Sequence, residues 1–181
     1  MICPTYSSPS FLIFSDQVPP LLYYSHIPAI VLSLIIGLFI FLKDRKNLLN
    51  KLLFGISISF SLWAFINLIT WTNNSSDLII FVWCFFGILY SLVYILSLYF
   101  VYVYIDKKDI TFIKKIVLGI LFLPVVIFTP TYLNLREFDI QICGIFTEGK
   151  IFTTYYYSLG FLLFAWIFAI QIKIHISFGK I

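Results

Sequence analysis

The sequence predicts an all-α protein, a polytopic transmembrane helical bundle of five spans, and three observations carry that reading. Of 181 residues, 61% are hydrophobic and only 11% charged, with mean hydropathy +1.03. A soluble domain carries about a quarter charged residues, so this chain has too few to cover a water-facing surface. The apolar residues fall in runs of bilayer length, since a helix rising 1.5 Å per residue crosses the hydrocarbon in about 20 residues. The charges fall in short clusters between those runs. A membrane barrel would instead show about 10 residues of strict alternation per strand. Continuous longer runs fit helices, which satisfy every backbone N–H and C=O within one segment.

Residues 1–20 form an N-terminal segment, 21–176 the helical domain and 177–181 a tail. The first span is expected at Leu21–Leu42 and the second at Leu52–Trp71. The third, Leu78–Ile105, is long enough to tilt or to project beyond the lipid. The fourth, Ile116 to about Leu133, is short and interrupted by Pro124 and Pro130. Proline frees a backbone carbonyl and can kink a helix, and "TPTYL" is equally a point where this helix can end. The fifth is Ile151–Ile172.

Charge placement sets the expected orientation. The stretch "KDRKNLLNK" carries Lys43, Arg45, Lys46 and Lys51; "DKKDITFIKK" carries Lys107, Lys108, Lys114 and Lys115; the C-terminal end carries Lys173 and Lys180. Arg136 and Lys150 fall on the other side. Ten of the twelve basic residues thus share one face of a five-span topology, and the positive-inside rule makes that face cytoplasmic. The N-terminus is then outside and the C-terminus cytoplasmic, in a multi-pass cell-membrane protein of the bacterial inner-membrane kind. No basic n-region precedes the first span, so it does not read as a cleaved signal peptide. Tyr23, Tyr24, Trp71, Tyr132 and Tyr155–Tyr157 fall at expected outer ends, and Tyr102 and Tyr104 at an inner end. Amphipathic rings favour the headgroup level.

Within the spans as drawn there is no Asp, Glu, Lys or Arg. Ion-coupled transport generally uses a buried ionisable partner for the moving charge, so the pattern argues against a pump but not against a carrier of neutral molecules. Ser57 and Ser61 share one face of the second span, and Gly87 and Ser91 one face of the third; small residues four apart let helices approach closely. Asn67 lies on one stripe with Trp63 and Trp71. An amide in lipid needs a partner, either a neighbouring helix or a ligand.

No P-loop, zinc-ligand spacing or nucleophile-elbow pattern occurs, so no catalytic, cofactor-binding or metal-ligating residues are assigned and no enzyme activity or nucleic-acid partner is expected. His26 and His175 sit at span boundaries, where histidine is more often an interface residue than a ligand. Cys3 and Cys143 are expected outside, and Cys84 inside the third span. Both Cys3–Cys143 and Cys84–Cys143 bridges stay open. Asn73 and Asn74 are formal N-x-S acceptors.

The polar island "FDIQICGIFTEGK", Phe138–Lys150, lies on the outer side. Its apolar residues Phe138, Ile140, Ile142, Ile145 and Phe146 argue against disorder, and their partial alternation suits a strand or hairpin turning at Gly144. We expect this loop to fold back as a lid over the outer mouth of the bundle, facing Trp71 and the tyrosines. A pocket beneath it would be neutral and aromatic, with Trp63, Asn67, Trp71 and Tyr156 as candidate lining residues.

The stretch "SISFSLWAFINLITWTNNSSDLIIFVWCFFGILYSLVYILSLYFVYVYIDKKD" resembles the core of the N-terminal seven-helix (7TM) region of membrane histidine kinases. The shared features are a Leu-Trp pair in the second helix, a short polar outer loop, and a long aromatic third helix with Trp near its start. Downstream, "LPVVIFTPTYLNLREFDIQICGIFTEGKIFTTYYYSLGF" is similar to the proline-bearing helix, outer loop and aromatic helix of that region. The resemblance spans roughly residues 30–176 and rests on diffuse hydropathy patterns. It implies a membrane sensory or signal-input module in front of a cytoplasmic kinase. The chain departs from the family in showing five spans rather than seven and no kinase domain, which points to a truncated input module. Its partners would be the lipid bilayer and a second copy of the chain or a separate signalling output protein. The other reading is a small membrane carrier or structural membrane protein without a signalling role.

Overall fold

The computed structural model describes residues 13–14, 18–73, 75–139 and 145–178. Helix α1 runs Pro20–Lys43, α2 Leu48–Thr72, α3 Ser76–Asp106, α4 Phe112–Phe128 and α5 Lys150–Phe178. Between α4 and α5 lie two short strands, β1 (Leu135–Asp139) and β2 (Ile145–Glu148), paired antiparallel. Among the described residues the regular structure is therefore helical apart from one hairpin, whose strands run into and out of the polar island. The turn residues 140–144, including Gly144 and Cys143, fall outside the described part, as do Cys3 and Asn74.

Local chemistry explains most helix ends. Pro20 opens α1, where a missing N–H costs nothing. The Asn47 side chain accepts from Leu49 N at 2.9 Å, which starts α2 four residues earlier than the hydropathy pattern alone indicates. Ser75 accepts from Leu78 N, with Asp77 in the first turn of α3. That helix closes on Lys107 in a left-handed conformation, φ 53°.

The expected fourth span needs correction. Helix α4 has 17 residues and stops at Phe128, not near Leu133. Pro130 has no N–H with which to continue the ladder, and Thr131 N bonds Phe128 O in a tighter turn. At 1.5 Å per residue α4 is about 26 Å long, below a hydrocarbon thickness of about 30 Å. Four helices, α1, α2, α3 and α5, are long and apolar enough to cross a membrane. Pro124 stays inside α4.

Contacts between helices give an up-and-down order. Ser33 meets Ser57, Ser61 meets Ile30 and His26 meets Asn67, so α1 and α2 are antiparallel. Trp63 packs near Phe86, and Gly55 near Leu96, so α2 and α3 are antiparallel. Gly160 faces Tyr90 and Trp166 faces Tyr102, which makes α5 parallel to α3. Helix α4 runs against both, with Tyr155 bonding Leu121 O and Lys114 over the Tyr102 ring. Lys43, Arg45, Lys46, Lys107, Lys108, Lys114 and Lys173 thereby gather at one end of the bundle, and the hairpin occupies the other.

Helix α3 is the hub. Leu98, Val103, Leu118, Val125, Phe152, Tyr156 and Leu163 form one core from α3, α4 and α5, with Leu52 entering from α2. In α1 only Gly37 is buried. Leu32, Ile35 and Phe39 of α1 and Phe161, Leu162 and Phe168 of α5 are exposed. Apolar surface on this scale is untenable in water and natural against lipid. The architecture is that of a helical membrane bundle.

Candidate functional site

The expected pocket residues begin on one stripe of α2. Asn67 bridges two helices there. An indole N–H can only donate, so Trp71 Nε1, 3.1 Å away, fixes the amide oxygen toward itself. The amide nitrogen then faces His26 Nε2 of α1 at 3.2 Å. With that ring nitrogen accepting, Nδ1 is free to donate, and it lies 2.9 Å from Leu22 O and 2.9 Å from Ser25 Oγ. The chain of contacts runs Trp71, Asn67, His26, Leu22. Sequence reasoning set His26 aside; no local signal could have paired it with a residue 41 positions away.

Trp63, one turn before Asn67, packs near Phe60 and Phe86 at centroid distances of 6.0 and 5.6 Å. Its Nε1 is buried without a hydrogen-bond partner among the described residues. Trp71 is 65% exposed; the turn of the expected lid lies outside the described residues. Tyr156 is 1% exposed on α5. Its aromatic neighbours are Tyr90, Phe152 and Tyr157, which places it in the α3–α4–α5 core. The structure thus joins Trp63, Asn67 and Trp71 along α2 and adds His26, while Tyr156 serves the core. A cavity of about 390 Å³ near the hairpin end has other walls, Pro124, Phe128, Leu133, Ile151, Phe152 and Tyr155.

The hairpin is anchored at its base. Its first strand packs against α3, with Leu135 buried. Asn134 is buried and donates through Nδ2 to Thr129 O at 3.0 Å. Gly149 N donates to Asn134 O at 2.9 Å. A Cβ at Gly149 would run into the Leu133 carbonyl, so only glycine fits there. Thr129 is fully buried, bonds Val125 O and sits over Gly87 of α3.

Gly87 was expected to serve close packing, and Thr129 fills the space its missing side chain leaves. Ser57 and Ser61 likewise do what their spacing suggests: Ser61 Oγ donates to Ile30 O and Ser33 Oγ to Ser57 O, each at 3.2 Å.

At the basic end, Asp109 ties α3 to α4. Tyr99 Oη donates to its Oδ1 and Lys115 Nζ to its Oδ2, both at 2.5 Å. The Lys115 ammonium, then the Tyr99 hydroxyl, hold the Asp109 carboxyl below its ordinary range. The same hydrogen bond raises the Lys115 ammonium.

No family model matches this chain, and no curated protein or solved structure does.

Proposed function

We propose that the chain is an integral membrane sensory or signal-input module, multi-pass in the cell membrane, whose output is delivered through another protein rather than by catalysis of its own. The observation supporting this is a difference in how the helices are joined. The α3–α4–α5 unit shares one core of large side chains, whereas α1 meets α2 along small residues and one polar link. A seam of small residues without interlocking bulky side chains lets one helix slide against its neighbour, and helix shifts of this kind are a recognised switching transition. The His26–Asn67–Trp71 link, with the unpartnered Trp63 indole beside it, is where a small, weakly polar ligand would compete. We place this end outside and the basic end in the cytoplasm, following the charge asymmetry.

The resemblance to the 7TM input region of histidine kinases points the same way. The buried polar side chains of the described residues are Ser, Thr and Asn, which suits packing and ligand contact better than ion coupling. The experiment is a spin-label distance between α1 and α2, at Leu34 and Leu62, in protein reconstituted into liposomes. A sensor changes that distance when small aromatic or amide-bearing compounds are added, and passes no neutral solute. Protein-dependent flux with a fixed α1–α2 distance would establish the carrier reading instead. Reporter fusions after Asp109 and Lys180 test the orientation, and both are expected to read cytoplasmic.

A further inference from the structure

A second cavity, of about 490 Å³, opens between α3 and α5 at the basic end, lined by Tyr102, Ile105, Asp106, Trp166, Ala169, Ile170 and Lys173. Its walls differ in kind. Ile105, Ala169 and Ile170 give an aliphatic floor, and Tyr102 and Trp166 meet edge to face, 6.5 Å between centroids, to give an aromatic side. Asp106 and Lys173 bring one negative and one positive charge. Asp106 closes α3, and Lys173 lies in the last turns of α5, at the same end of the bundle. The cavity therefore passes from hydrocarbon depth at its floor to headgroup level at its rim.

Among the described residues no ion pair uses the charges at the rim. Among the described residues the ion pair is Lys115–Asp109; Asp106 and Lys173 face one cavity without pairing with each other or with a neighbour. A third charge stands close by, since Lys114 Nζ lies 3.8 Å above the Tyr102 ring. The rim thus offers one ammonium and one carboxylate around an apolar slot, with a second ammonium on the ring of a wall residue.

We propose that this cavity binds a phospholipid with a primary-amine headgroup, of the phosphatidylethanolamine class. The phosphate sits against Lys173, with Lys114 near by on the Tyr102 ring, the ammonium donates to the Asp106 carboxylate, and an acyl chain lies along Ile105, Ala169 and Ile170. Each charge of the headgroup meets its opposite, and each charge at the rim gains a partner. A phosphatidylglycerol satisfies the lysines but leaves Asp106 beside a net negative ligand. A choline headgroup has no N–H to donate to Asp106, and the Lys114 ammonium already occupies a face of Tyr102. Basic clefts between helices at a membrane surface are known settings for lipid headgroups, and charge-assisted hydrogen bonds supply the discrimination.

The test is native mass spectrometry of the purified full chain, released from micelles doped equally with phosphatidylethanolamine, phosphatidylglycerol and phosphatidylcholine of identical acyl chains. Retention of the ethanolamine lipid is expected to exceed that of the other two by about fivefold, one interfacial charge contact each. Asp106→Asn should abolish that preference while leaving phosphatidylglycerol bound. Lys173→Gln should lower retention of both phosphatidylethanolamine and phosphatidylglycerol. Both positions are exposed, so the bundle should fold in either variant, and circular dichroism checks it. Ala169→Trp fills the slot and should displace all three lipids. Equal retention of the three lipids, or a preference unchanged in Asp106→Asn, overturns the proposal. Displacement by free phosphoethanolamine at the same concentration would also overturn it, by showing a soluble ligand rather than a lipid.

Discussion

The two halves of this bundle hold their helices together by different means. Between α1 and α2 the contact is close and built from small residues: Gly37 would place a Cβ 2.5 Å from Ser57 Cβ, and serines bond backbone carbonyls across the seam. Between α3, α4 and α5 the contact is bulky, with Leu98, Val125, Tyr156 and Leu163 fully or nearly fully buried. In lipid there is little hydrophobic drive to pair helices, so close approach and polar bonds must serve on the first side. On the second side, volume filling and dispersion do the same task. A seam of small residues resists enlargement and tolerates truncation; a packed core behaves the other way round.

The largest contrast is expected from truncating the core. Leu98 is fully buried, and Leu98→Ala leaves a cavity among α3–α5 side chains at a cost of about 3 kcal/mol. The thermal midpoint in detergent should fall accordingly. Oxidative crosslinking of a Ser33→Cys/Ser57→Cys pair, which reports the other seam, should stay efficient. Loss of that crosslink in Leu98→Ala would mean that the two halves form one cooperative unit and that the division is wrong.

Next comes enlargement of the seam. Gly37→Leu drives a side chain into Ser57 and costs about 2 kcal/mol by overpacking. Here the crosslink should be lost, while the α3–α5 unit keeps its thermal transition. An α1 that still crosslinks would show that the seam has slack, contrary to the close approach of Gly37 and Ser57.

Hydropathy made the apolar segments legible, because lipid imposes one rule on every residue of a span. The same sequence could not show where α4 stops. Pro124 and Pro130 look alike in the chain, yet Pro124 is accommodated inside the helix and Pro130 lies beyond its end. The glycine and serine spacings carried real packing information at Gly87, Ser57 and Ser61, since small residues have few other reasons to recur four apart. The stripe Trp63–Asn67–Trp71 was visible as well, but its partner was not. Pairing Asn67 with His26 depends on the register of α1 against α2, which is a property of the seam rather than of either helix. Tyr156 shows the converse limit. A run of three tyrosines reads as an interface belt, and the rotation of α5 sends the middle one into the core.

A smaller effect follows at the polar link. Asn67→Ala removes the α1–α2 bond to His26 and the Trp71 bond together. An interhelical hydrogen bond in a membrane is worth about 0.6 kcal/mol, so the fold should survive. Crosslinking at Ser33/Ser57 should persist, and labels near Tyr24 and Trp71 should report a wider spread of distances. An unchanged distribution would remove this link as a point of control and weaken the input-module reading.

The smallest effect tests whether the basic end belongs to the packed half. Asp109 joins Tyr99 of α3 to Lys115 of α4, and those two bonds lower its carboxyl relative to the unfolded chain. A depressed carboxyl contributes stability that is fully present above its unfolded value, about 3.9, and that is lost as pH falls through the lower folded value. Asp109 is exposed, so solvent screening keeps the contribution slight. The measurement is the difference in thermal midpoint between wild type and Asp109→Asn, followed from pH 7 downward. Other titrating groups are common to both proteins and cancel. The difference should be constant down to about pH 4 and then close. It should also shrink in high salt, since the pair is at the surface. A difference that persists at acid pH would mean that Asp109 acts through loop geometry, by shaping the turn into α4, rather than through its charge.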